Sequence, residues 1–172
     1  AEETLTFIVE QQPRNKNFRE ELTNSLLTLA DLNEARGELE DALAKYDEYQ
    51  DSMQELAELD PANAVWERSL ATGLRLRASP LIALNRIDDA QAAIEDGLET
   101  MNTLVALDES NASWRRERAA LRGELADLAA LKQDWERART LQQQVDAELR
   151  LLLFGDRDLF PGGDPNNVSL IG

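Results

Sequence analysis

Asp60-Pro61-Ala62-Asn63-Ala64-Val65-Trp66-Glu67-Arg68-Ser69-Leu70 opens the stretch whose reading decides the fold. It runs into a helical pattern with Leu70, Leu74, Ala78 and Leu81 on one stripe, and reaches a second start at Asn85-Arg86-Ile87-Asp88-Asp89-Ala90. The stretch returns 48 residues later, where Asp108, Asn111 and Trp114 stand for Asp60, Asn63 and Trp66, and Gln133-Asp134-Trp135 stands for the second start. It also stands 48 residues earlier, as Pro13, Asn15 and Phe18 followed by Gly37-Glu38-Leu39. A fixed period of this size implies stacked units, each too small to bury its own apolar face, that share a core with their neighbours.

Working outward, residues 1–11 read as the end of a helix from a preceding unit, because Leu5 and Ile8 fall one period before Met53 and Leu56. Together with the absence of an initial Met, this suggests a fragment with more protein upstream. Three units follow at about 12–59, 60–107 and 108–154. Each has a first helix (A) and a second helix (B): Asn15 to Asn33 and Gly37 to Glu58 in the first, Trp66 to Leu84 and Ile87 to Leu107 in the second. The short link at Glu34 to Arg36 makes each pair antiparallel. Asp60 before Pro61 reads as the N-cap of the second unit. In the third unit Arg118 and Arg122 replace Leu70 and Leu74, as expected of a last repeat with nothing stacked on it. They are expected to pair back onto Asp96 or Glu99. Gly155, Pro161, Gly162, Gly163 and Pro165 end the helical pattern, so 155–172 reads as an irregular tail, anchored through Leu159, Phe160, Val168, Leu170 and Ile171.

Composition narrows the function classes. The 172 residues hold no Cys and no His, which removes disulfides, thiolate chemistry, the usual zinc sites and histidine switching. A net charge of −16 opposes binding of nucleic acid over a broad surface. No apolar run reaches the length of a membrane span. Asp156 and Asp158 begin like a calcium loop, but Phe160 and Pro161 occupy the places that need a ligand and a turn glycine. No catalytic motif occurs, so the reading is of a protein that is not an enzyme, with no cofactor and no metal.

The D-P-x-N-x-x-W stretch, the small residues Ala30, Ala78 and Ala126 in the A helices, and Ala42, Ala90 and Ala138 in the B helices resemble the tetratricopeptide repeat family in its longer bacterial variant. The resemblance covers about residues 12–154. The close-contact Gly of the family is Ala in all three units. What the resemblance implies is an all-α solenoid, a right-handed superhelix of antiparallel helix pairs whose inner wall is made mainly by A helices. It further implies a scaffold that binds proteins or peptides, of the kind appended to bacterial signalling proteins. A cytoplasmic location fits that setting, with an exported sensor domain as the alternative.

Charge is distributed unevenly along the repeats. The B segments at 36–60 and 85–108 are strongly acidic, whereas the A segments at 63–84 and 111–131 hold seven arginines against four acids. If A helices line the inner wall, that wall is locally basic. Arg68, Thr72, Arg75 and Ser79 recur at i, i+4, i+7 and i+11, offset from the core stripe. With Arg116 and the corresponding Asn24 and Asp31, they are the groove candidates, suited to a partner with acidic groups because a guanidinium holds a carboxylate through two parallel hydrogen bonds. The simpler alternative pairs these arginines with acids of neighbouring helices. Trp66, Trp114 and Trp135 are expected to be packing residues at matched places. The rival function is structural, with the solenoid stacking on itself as a homo-oligomer or on its parent protein.

Overall fold

The computed structural model describes residues 2–12, 15–60 and 62–154. They form seven helices: α1 (Glu2–Gln11), α2 (Lys16–Ala35), α3 (Leu39–Leu59), α4 (Ala64–Ala83), α5 (Ile87–Leu107), α6 (Ala112–Leu131) and α7 (Trp135–Phe154). The starts of α2, α4 and α6 are spaced by the 48-residue period, and so are those of α3, α5 and α7. Helices pack chiefly on the ones just before and after them in the chain. This is an all-α solenoid of helix pairs with a leading helix, α1. The tail expected at 155–172 lies outside the described residues. No described helix is long and apolar enough to cross a membrane.

The repeat is visible in backbone chemistry. Asn15, Asn63 and Asn111 are the N-caps of α2, α4 and α6, and their side chains accept from the N–H groups of Phe18, of Val65, and of Ser113 and Trp114. An Asn side chain here satisfies N–H groups that the first helical turn leaves unpaired. The cap expected at Asp60 is therefore at Asn63. Asp60 instead ends α3 and takes Lys16 Nζ at 2.9 Å on its carboxylate. At the A-to-B turns, Gly37, Asn85 and Gln133 adopt left-handed conformations with φ of 77°, 59° and 61°. The next residue in each turn returns a hydrogen bond to the last turn of the A helix: Glu38 N to Asn33 O, Arg86 N to Leu81 O and Asp134 N to Ala129 O. The link thus lies at 36–38, two residues later than its sequence suggests, because the left-handed residue closes the helix.

Burial follows the small-residue pattern. Ala30, Ala78, Ala42 and Ala90 are at most 2% exposed, so backbones approach closely at each A–B contact. Leu22, Leu26, Tyr49, Met53, Leu56 and Trp66 form one core cluster, and Leu81, Ile94, Met101, Leu104, Leu121 and Leu125 belong to the next. Fully burying an aliphatic side chain of this kind contributes roughly 1.5–3 kcal/mol. Trp66 is buried and its indole N–H donates to Glu20 Oε1 at 2.9 Å. Trp135 departs from the packing expectation. It is 65% exposed, because it opens α7, and no described helix follows to cover that face. Leu149, Leu153 and Phe154 on the same helix are exposed as well.

The two inner seams use opposite size pairs. At the α3–α4 seam Tyr49 lies on Gly73 so closely that a Cβ at Gly73 would stand 2.3 Å from the ring. One period on, Gly97 in α5 lies closest to the Ala71 carbonyl of α4, 3.1 Å from an added Cβ, and meets Leu121 of α6 in ordinary contact, with its Cδ2 at 3.5 Å. The Tyr49 hydroxyl donates to the Ser69 carbonyl at 3.0 Å, and burial pushes its pKa up to about 12.

Candidate functional site

The A helices stand side by side and enclose a cleft of about 410 Å³ between α2, α4 and α6. Its apolar lining has the buried Ala78, Ile94 and Leu128 as a floor, with Leu76, Ile82 and the exposed Leu131 beside them. Around that floor stand four carboxylates, Asp31, Glu34, Glu124 and Asp127, and one cation, Arg75. The cleft is therefore acidic.

Two of its carboxylates, Asp31 and Glu34, are held by neutral donors. The Tyr46 hydroxyl of α3 lies 2.8 Å from Asp31 Oδ1 and 3.1 Å from Glu34 Oε2. Ser79 Oγ donates to the other oxygen of Glu34 at 2.6 Å, which fixes that carboxylate from both sides. Burial, and then the bond and charge of Asp31 and the charge of Glu34, push the Tyr46 phenol well above its usual range, so it stays a donor. Arg75 Nη1 donates to Glu124 Oε1 at 2.9 Å and neutralises that acid alone. The Asp127 side chain makes no hydrogen bond among the described residues. The arrangement has oriented acceptors beside apolar side chains, which suits recognition of a cation with an apolar stem.

The structure brings Asp31, Arg75 and Ser79 together in this cleft. Arg68 and Thr72 lie farther along α4, where both bind Glu117: Arg68 Nε at 2.6 Å to Oε2, and Thr72 Oγ1 at 2.5 Å to Oε1. The simpler alternative thus describes Arg68 and Arg75, each paired with an acid of α6. Asn24 is exposed on α2, and its carbonyl takes the Thr28 hydroxyl at 2.9 Å. Arg116 is exposed and makes no ion pair among the described residues. The expected basic wall is corrected: Arg75 and Arg68 are matched by Glu124 and Glu117, Arg77 turns to Asp47 at 2.8 Å, and Arg118 and Arg122 point elsewhere.

The sequence reading missed Glu34, Tyr46, Glu124 and Asp127. Asp127 had a signal, since it stands one period beyond Ser79 and two beyond Asp31. Glu34 had none, because its periodic counterparts are Ile82 and Ala130.

The pairing expected for Arg118 and Arg122 with Asp96 or Glu99 is also corrected. Both turn to Glu148 of α7, which is 4% exposed. Arg118 donates through Nε at 3.0 Å and Nη2 at 2.5 Å, Arg122 through Nη1 at 2.7 Å, and Arg115 joins through Nε at 3.2 Å. Burial alone would raise the Glu148 carboxyl, but the bonds and charge of Arg118, with Arg115 and Arg122, outweigh it and hold it below the usual carboxylate range. No protein-family model matches this chain, and no curated protein does either.

Proposed function

We propose that the protein is a non-catalytic peptide-binding solenoid whose A-row cleft takes a basic segment of a protein partner. The observation that carries this reading is the cleft's composition: four carboxylates against one arginine, with Glu34 fixed by Tyr46 and Ser79 beside Leu76, Ile82, Leu128 and Leu131. An arginine or lysine side chain would lay its methylenes on the floor and its charge between Glu34 and Asp127. The tetratricopeptide-like pattern supports a protein or peptide as the partner class, and the cleft reverses the charge expected of it. Fluorescence anisotropy with a short peptide that pairs arginines with leucines tests this. Glu34→Gln with Asp127→Asn is expected to weaken binding about tenfold or more. Unchanged binding, or preference for the same peptide with glutamates in place of arginines, overturns it.

A second reading rests on the exposed apolar face of α7, where Ala138 is half-buried although Ala42 and Ala90 are fully buried at the equivalent contact. In that reading the end of one copy stacks on another. Light scattering over a range of concentrations tests it, with a mass that rises and is returned to that of one chain by Leu149→Lys and Leu153→Lys. A constant mass overturns it.

A further inference from the structure

The same groove occurs twice on the B-helix side, two periods apart, and its chemistry inverts. Between α1 and α3 it has Val9, Arg19, Leu22 and Ser52 on its walls, and Glu10, Glu48, Asp51 and Glu55 make it acidic. Between α5 and α7 the corresponding walls carry Val105, Arg115 and Arg118 around a volume of about 600 Å³, while Arg122 and Glu148, at the register places of Leu26 and Ser52, bond to each other and do not line it. Three guanidiniums, each 18–20% exposed, converge there on one buried carboxylate.

One arginine would satisfy Glu148, and Arg118 already binds it through two nitrogens. Arg115 and Arg122 add charge that Glu148 cannot balance, and the Arg122 guanidinium is pushed below its usual range by burial and then by the charge of Arg118. The two terminal nitrogens of Arg115 donate to nothing among the described residues, and Arg115 lines the groove together with Arg118, Asn102 and Ser110. Glu109 is the one acid on the groove's lining and is exposed. A partly buried excess of two positive charges with unused planar donors is matched by a doubly charged oxyanion.

We propose that the groove between α5 and α7 binds a phosphate dianion through Arg115 and Arg118, with the charge of Arg122 adding to theirs through the shared Glu148. Its source is either free phosphate or a phosphorylated side chain, and the volume leaves room for atoms beyond the phosphate itself. The site is separate from the acidic cleft and does not depend on that cleft's ligand.

The test follows thermal unfolding and calorimetry of the whole chain with inorganic phosphate, against chloride at matched ionic strength. Phosphate is expected to bind saturably, and Arg115→Gln to weaken it about tenfold or more while Arg116→Gln leaves it unchanged. Glu148→Gln is expected to tighten it about tenfold, and where that variant unfolds more readily, phosphate restores its melting to near that of the parent. A phosphoserine peptide that binds tighter than inorganic phosphate assigns the source to a modified side chain, and equal binding assigns it to the free ion. No saturable effect beyond chloride, or equal effects of Arg115→Gln and Arg116→Gln, overturns the proposal and leaves the arginines as a structural cluster.

Discussion

The first and third units share a backbone and differ in what fills the seam behind the A helix. In the first, Leu22 and Leu26 lie in an apolar cluster and Ser52 hydrogen-bonds Thr23 at 2.8 Å. In the third, the same register places hold Arg118, Arg122 and Glu148. Beside the Arg19–Glu55 pair, the leucines of the first seam need no exact partner, whereas the arginines of the third all depend on Glu148. The repeat therefore tolerates a change from dispersion and hydrophobic burial to buried ion pairing at one unit, provided the replacement is complete.

The largest effect expected from this contrast is that of Glu148→Leu. It strands three partly buried guanidiniums and should destabilise the protein by about 3–5 kcal/mol in denaturant unfolding. The combined change Arg118→Leu, Ala119→Thr, Arg122→Leu, Glu148→Ser and Leu151→Glu, which copies the first unit including the Glu55 that pairs with Arg19 and the Thr23 that bonds Ser52, should be neutral or stabilising by about 1–4 kcal/mol. If the combined variant is as unstable as the single one, the two seams are not equivalent.

The next effect in size is a pH response with a different limb in each unit. Tyr49 in α3 keeps its proton in the fold up to about 12, while the unfolded chain loses it near 10, so stability falls as pH rises through that window. At about 1.4 kcal/mol per unit this amounts to roughly 2–3 kcal/mol, and Tyr46, also raised, acts in the same direction. Glu148 has the opposite sign: the unfolded chain takes up its proton first as pH falls, so stability is lost toward acid. Stability measured against pH should show Tyr49→Phe flattening the alkaline limb and Glu148→Gln the acid one. Interchanged effects would contradict the assignment.

The smallest effect compares the two turns. Gly37→Ala should cost about 1 kcal/mol, and Gln133→Gly should gain about 0.5–1 kcal/mol, because both sites need a left-handed residue and only the first has glycine. Paired thermal melts check the two signs.

Helix order and the 48-residue spacing of helix starts were legible in the sequence because Asn15, Asn63 and Asn111, and the alanines at the close contacts, repeat without a gap. The site was less legible. Summing arginines over a helix does not say which way each turns, and Arg118, Arg122 and Arg77 all face away from the cleft. Two carboxylates of the cleft, Glu34 and Glu124, have apolar or small counterparts in at least one other unit, so no periodic signal marks them. Pro80 did not hide the fold: the helix expected from Trp66 to Leu84 continues through it to Ala83, with the proline near the C-terminal end and its ring fully buried.

Tyr49 on Gly73 and Gly97 against Leu121 together key the order of the units. A recombination event that excised one period would bring the α3 ring onto the α6 leucine, and a duplication of the middle unit would set glycine opposite glycine and leave a void. Lengthening or shortening this array by whole units thus demands a second, compensating substitution, which makes the present sequence of hairpins resistant to shuffling.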